Sequence, residues 1–153
     1  MKILLDTNMI LRLEDTGHVQ HTLARSAVDW IDANGHDAVI VPQVMYEYWV
    51  VATRPVEHNG LGLSTEKTSQ AVNEWGTVFQ LLRDEPGIFG QWHDLVTIHD
   101  VKGKSAHDAR LVAAMKRHGL THIVTFNKAD FVRFGEIQVF TPAEVLSGVF
   151  RSA

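Results

Sequence analysis

The stretch Met1-Lys2-Ile3-Leu4-Leu5-Asp6-Thr7-Asn8 decides the fold of this chain. Ile3-Leu4-Leu5 is an unbroken apolar run that gives way at once to polar residues. A strand covered on both faces of a parallel sheet reads this way, because neither of its alternating faces meets water. Asp6 then stands at the carboxyl edge of the sheet, the edge where ligands bind in open α/β folds because loops and helix N-termini converge there. A carboxylate at that edge is a candidate for chemistry. Asp6 or Asn8 is equally suited to cap a helix over residues 9–13.

Outward from this strand, helices and short strands alternate. Residues 18–34 carry Val19, Leu23, Ala27, Val28, Trp30 and Ile31 at helical spacing, and Gly35 suits the position just past a helix end. Ala38-Val39-Ile40-Val41 reads as a second strand, and Pro42 is suited to open a helix that runs to about Ala52. Residues 53–63, with Pro55, Asn59, Gly60 and Gly62, have no periodicity and read as a long connection or lid. Ser64 or Thr65 caps a further helix reaching Arg83, its stripe made of Ala71, Val72, Trp75, Val78, Phe79 and Leu82, and Pro86-Gly87 ends it. Residues 88–99 fit a helix or a helix running into a short strand. Ser105 reads as the N-cap of a helix whose face is Ala109, Leu111, Val112, Ala113, Ala114 and Met115. Ile123-Val124 and Val139-Phe140 are the remaining strands, and Thr141-Pro142-Ala143-Glu144 starts a last helix. Strands alternating with helices predict an α/β fold with a mainly parallel sheet and right-handed crossovers.

Composition bounds the class. The 153 residues, 45% hydrophobic and 21% charged, suit one globular domain over 1–153. No apolar run approaches the ~20 residues of a membrane span, and the N-terminus lacks the pattern of a signal peptide, so the cytoplasm is the expected location. There is no cysteine, which excludes disulfides and thiolate metal sites and leaves oxygen or imidazole as ligands. The net charge of -4 argues mildly against a nucleic-acid partner. Its distribution argues the other way: residues 101–133 hold Lys102, Lys104, Arg110, Lys116, Arg117, Lys128 and Arg133 against Asp108 and Asp130. That segment is able to meet a phosphate backbone or to serve as a solvated helix face.

Four acids fall at matching places. Asp6 and Asp130 follow strands, whereas Glu47 and Asp108 lie near the starts of helices that follow a strand or loop, so all four are able to face one sheet edge. Glu47 is set among Val44, Met45, Tyr46, Tyr48, Trp49 and Val50, on a thin solvent face or partly buried. Asp108, in a first helical turn, also has a sufficient structural role with the helix dipole. Carboxylates brought together repel and raise one another's pKa unless cations neutralise them. Hard oxygen ligands suit Mg²⁺ or Mn²⁺, ions that activate water and stabilise phosphate charge in phosphoryl transfer.

At these residues the chain resembles the PIN domain, and in particular the ribonuclease toxins of VapBC toxin-antitoxin pairs. The resemblance rests on Asp6-Thr7-Asn8 after the first strand, Glu47 in a helix, Asp108-Ala109 with Ala113-Ala114 behind it, and Thr125-Phe126-Asn127 leading to Asp130-Phe131. It spans nearly the whole chain. It implies a three-layer α/β/α sandwich, PIN-like and so Rossmann-like, with an acidic pocket that holds Mg²⁺ or Mn²⁺ and cuts RNA. In it Asp6, Glu47, Asp108 and Asp130 take the catalytic positions, with Asp6, Asp108 and Asp130 as metal ligands. Asn8 and Thr125 take the supporting polar positions. Asn127 stands where some members have a further acid, which leaves Asp130 or Asn127 to complete the site. A homodimer and a small antitoxin protein are the implied partners.

Other readings fit less well. Gly103-Lys104-Ser105 invites a phosphate-loop reading, but the glycine required five residues earlier is Ile98. A haloacid-dehalogenase-type phosphatase needs an aspartate two residues after the first, where Asn8 stands. The nine histidines are scattered, and His118 and His122 are separated by Gly119, which argues against a histidine metal site. A catalytically silent module that binds RNA or protein is the alternative from a different class of function.

Overall fold

A computed structural model of the chain describes residues 1–150. The elements run β1 (Lys2–Leu5), α1 (Thr7–Glu14), α2 (His21–Ala33), β2 (Asp37–Ile40), α3 (Pro42–Thr53), α4 (Thr65–Val78), β3 (Gln80–Leu81), α5 (Ile88–Ile98), α6 (Ser105–Arg117), β4 (His122–Val124), β5 (Gln138–Phe140) and α7 (Pro142–Leu146). Two single 3₁₀ turns, Val56–His58 and Lys128–Asp130, interrupt the loops.

The strands form one five-stranded sheet in the order β3-β2-β1-β4-β5, with every pairing parallel. The opening strand is therefore its centre, pairing Ile3 with Ala38 on one side and Leu4 with Ile123 on the other. Ile3, Leu4 and Leu5 are all fully buried. Because successive strand side chains point to opposite faces, both faces of the sheet must be covered, which gives the expected three layers. On the helical layers α5 packs on α6, α1 on α2 and α3, and α2 on α7.

Local chemistry explains most element boundaries. Pro42 opens α3 at its first turn, where a missing N–H goes unnoticed. Ser64 caps α4 by accepting from Lys67 N, and Thr141 with Glu144 forms a reciprocal capping box on α7. Residues 88–99 resolve as a helix, with Gly87 at φ 99 turning the chain into it.

Three expectations are corrected. The helix after Ser64 stops at Val78 and does not reach Arg83, because the chain becomes extended at Phe79 and Gln80-Leu81 pairs with Val39-Ile40 as an edge strand. Phe79 still meets Trp75, stacked at 5.8 Å, so that part of the apolar stripe persists on extended backbone, while Val78 is exposed. Ser105 is the first helical residue of α6 and Lys104 holds the cap position, without a side-chain bond. Finally, of the two readings of residues 53–63 the long connection holds and the free lid does not. Leu61 N, Gly62 N and Leu63 N donate to the carbonyls of Val51, Arg54 and Ala52, folding the loop back onto the end of α3 and satisfying acceptors that a helix C-terminus leaves open.

Candidate functional site at the carboxyl edge of the sheet

β1 delivers Asp6 to the carboxyl edge, and there Asp6 is both cap and site. Its Oδ1 accepts from Thr7 N at 2.7 Å as the N-cap of α1, which starts at Thr7, two residues earlier than the sequence suggests. Its Oδ2 accepts from Thr125 Oγ1 at 2.7 Å and from Asn8 Nδ2 at 3.2 Å. Asn8 and Thr125 are themselves joined at 3.0 Å, and Phe126 N donates to Asn8 Oδ1 at 3.1 Å, so the ends of β1 and β4 are laced together around one carboxylate. Asn127 contributes its backbone N–H to Thr125 Oγ1 at 3.0 Å and its side chain caps no helix.

Glu47, half-buried on α3, is held at both oxygens. Thr7 Oγ1 donates to Oε2 at 3.2 Å and Gln43 Nε2 to Oε1 at 2.7 Å. Asp108, in the first turn of α6, is half-buried, and Asp130 is exposed at the end of its 3₁₀ turn. That turn is anchored from below by the fully buried Phe131 and from the side by Lys128 Nζ, which donates to Glu144 Oε1 at 2.7 Å.

The four acids act on one another. Burial pushes the Asp6 carboxyl up to about 6, a rise to which Glu47 and Asp130 add and which the bonds from Thr125 and Thr7 oppose. Burial likewise pushes Asp108 up to about 7, with Asp130, then Asp6, then Glu47 as the repelling neighbours and Arg133 as the opposing cation. Glu47, Asp108 and Asp130 line one open pocket of about 820 Å³, together with Gln43, Arg54, Lys104 and Arg110. Among the described residues no three carboxylates or histidines close around a common point. The donor set nonetheless suits Mg²⁺, which binds through one or two carboxylates, retains waters and takes further oxygens from a phosphate, needing no all-protein cage.

Sequence reasoning missed Thr7 and Gln43. Gln43 left a signal, one helical turn before Glu47 and so on the same face; Thr7 was visible only as part of the Asp6-Thr7-Asn8 run. The basic segment 101–133 is not one patch, since Lys102 pairs with Asp100, Arg110 with Asp84, Arg117 with Glu85 and Lys128 with Glu144.

A parallel α/β sandwich with an acidic pocket between α3 and α6 is the class of protein that this geometry defines. A family model described as PIN domain matches residues 3–137, and the chain belongs to the PIN-domain family. Comparison with curated proteins gives no match. Among solved structures the chain is similar to one from VapBC2 of Rickettsia felis, bound to a DNA fragment from their promoter, at 13% identity and a TM-score of 0.70, over 92% of this chain and 98% of that one. It is similar to a chain of VapBC-1 from nontypeable Haemophilus influenzae at 14% identity and a TM-score of 0.69, over 94% and 99%. It is also similar to Mycobacterium tuberculosis VapC20, a sarcin-ricin loop cleaving toxin, at 20% identity and a TM-score of 0.58, over 79% and 86%. At these identities the likeness is one of fold.

Proposed function

We propose that this chain, as a single domain, is a divalent-metal-dependent endoribonuclease and the toxin of a toxin-antitoxin pair, working in the cytoplasm. The observation that carries the reading is the Asp6 carboxylate, buried to 7% exposure on the central strand, fixed by three hydrogen bonds and facing the charges of Glu47 and Asp130. A structural cap needs one such bond and no neighbouring acids. Membership of the PIN family and the likeness to toxin-antitoxin proteins, one named for cleaving the sarcin-ricin loop, support the same reading.

Asp6, Asp108 and Asp130 are the residues that would hold Mg²⁺ or Mn²⁺, one or two of them directly and the rest through retained waters, with Asp130 preferred over Asn127 because its charge acts on both other acids. The ion, when bound, activates water and offsets charge on the phosphate oxygens. Glu47, pinned at both oxygens, is oriented to accept a proton from the attacking water. Asn8 and Thr125 hold Asp6 in one rotamer, and Arg54 and Lys104 on the pocket wall attract the RNA backbone.

Partners follow from α3. Tyr46 (61% exposed) and Val50 (55% exposed) project beside the pocket, and Val51 and Arg54 continue its wall. Such an apolar strip rimmed by polar residues suits a protein interface, and we assign it to the antitoxin, with a homodimer as the assembly.

Incubation of the purified protein with structured and unstructured RNAs, with Mn²⁺ and then with chelator, tests the chemistry. Metal-dependent cleavage leaving 5′-phosphate and 3′-hydroxyl ends is expected. Metal-independent cleavage overturns the mechanism, and RNA binding without cleavage at any Mn²⁺ concentration favours the silent binding module.

A further inference from the structure

The hydrogen bonds around Glu47 continue away from the acids. Gln43 is buried to 5% exposure and spends its whole amide group on three partners from two helices. Its Nε2 donates to Glu47 Oε1 at 2.7 Å and to the His107 carbonyl at 2.7 Å, while its Oε1 accepts from Arg110 Nη1 at 3.0 Å. The amide orientation is dictated by chemistry: reversed, it would set an oxygen against a carboxylate and a carbonyl and an NH₂ against a guanidinium that only donates. Arg110 is braced in turn, with Nη2 donating to Asp84 Oδ2 at 3.2 Å. Asp84, Arg110, Gln43 and Glu47 thus form a chain of alternating acceptors and donors, and Thr7 continues it from Glu47 to the N-cap of α1 beside Asp6.

This chain crosses the gap that matters most. Glu47 lies on α3 and Asp108 on α6, their like charges favour separation, and His107 is the residue directly before Asp108. The residue that grips Glu47 therefore also grips the backbone that carries Asp108. We propose that Gln43, held in place by Arg110, is a positioning residue that fixes the Glu47 carboxylate and keeps the α3 and α6 acids in one relative placement for metal capture and cleavage. The proposal rests on the nuclease reading above and adds to it a residue that is neither acid nor ligand.

The test compares Gln43→Met, which keeps the volume and removes every bond, Gln43→Glu, which keeps the shape and removes both donors, and Arg110→Lys, which keeps the charge but cannot bridge Gln43 and Asp84 together. For each, Mn²⁺ affinity is titrated without RNA, kcat and KM are measured separately, and a thermal melt checks folding. Removing the partner that orients a ligating carboxylate costs about 10- to 100-fold in metal affinity or activity. Gln43→Met and Gln43→Glu are expected to lose that much in kcat and in Mn²⁺ affinity while KM for RNA holds, and Arg110→Lys to lose a smaller share of both. At saturating Mn²⁺ the double variant Gln43→Met with Glu47→Gln is expected to keep the kcat of Glu47→Gln alone, because Gln43 acts on the cleavage step through Glu47, while its loss of Mn²⁺ affinity, carried by the His107 backbone to Asp108, persists. Equal Mn²⁺ affinity and kcat in Gln43→Met and the parent, full activity in Gln43→Glu, or kcat losses at saturating Mn²⁺ that simply add to those of Glu47→Gln would each overturn the proposal. If the parent binds Mn²⁺ yet cleaves no RNA, the nuclease reading fails alone, and the Mn²⁺ titrations still decide the role of Gln43. A parent that binds no Mn²⁺ overturns both.

Discussion

Asp108 separates a structural from a chemical role most sharply. As a first-turn residue it would contribute about 0.3–1 kcal/mol through the helix dipole, and Asp108→Asn would then leave cleavage nearly intact. Its carboxyl instead sits at about 7, among the repelling charges of Asp130, Asp6 and Glu47. Removing one charge from such a set relieves repulsion, so Asp108→Asn is expected to leave the metal-free melting temperature unchanged or higher while cleavage collapses. Asp6→Asn and Glu47→Gln are expected to follow it. Melts and cleavage assays on the three variants check this, and cleavage by Asp108→Asn within a few-fold of the parent would reduce Asp108 to a cap. The same shifts give a pH dependence. Asp6 and Asp108 hold protons in the folded state that the unfolded chain has already released, so in chelator the stability should fall as pH rises between about 4 and about 7. It is highest below the unfolded value and levels off above the folded one. The slope should flatten in Asp6→Asn and Asp108→Asn, and melts at intervals of pH measure it.

Among the elements, the segment between α3 and α4 carries a sharp steric condition. Gly60 packs where a Cβ would stand 1.9 Å from the Arg54 carbonyl oxygen, a backbone atom with no room to yield. Gly60→Ala is therefore expected to destabilise by about 1–3 kcal/mol, in the range of overpacked sites, as read from urea unfolding. Because Arg54 lies on the wall of the acidic pocket, the same variant should raise KM for RNA more than it lowers kcat. An unchanged urea midpoint would mean that the fold-back is not tight in solution. Residues 54–63 resemble a lid in composition, since Pro, Asn and Gly mark turns without saying where the turn returns. Three backbone bonds, two to α3 and one to its cap residue Arg54, decide that, and composition does not encode them.

For the molecule as a whole, the test of an acidic centre is linkage. Any ion that binds the folded chain alone stabilises it, by about 2.7 kcal/mol at a hundred times its dissociation constant. The melting temperature should therefore rise saturably with Mn²⁺, and Asp6→Asn should abolish most of the rise. A calorimetric series in Mn²⁺ checks it; a rise of the same size in Asp6→Asn would locate the bound ion elsewhere. Assembly makes a second prediction at this scale. With Tyr46 and Val50 exposed on α3, Tyr46→Glu with Val50→Glu should leave the fold intact and abolish co-purification with the proposed antitoxin, measured by pull-down and sedimentation.

Local signals in the sequence determined the parallel α/β class, the buried opening strand with Asp6 at its end, and the helices α3 and α6 that carry Glu47 and Asp108. Apolar periodicity, Pro42, Ser64 and the capping box at Thr141 are read within a turn or two of where they act. Only the tertiary structure decided the rest. β3 has two residues and becomes a strand because Val39 and Ile40, 41 residues earlier in the chain, offer an edge to pair with. The basic run of residues 101–133 breaks up because Asp84, Glu85, Asp100 and Glu144 reach its members. Gln43, a polar residue in a largely apolar helix, becomes the link between two acids because α6 presents a carbonyl and a guanidinium to its amide. The raised Asp6 and Asp108 belong here too, since desolvation and like-charge repulsion are set by what folds around a carboxylate and not by its neighbours in the chain.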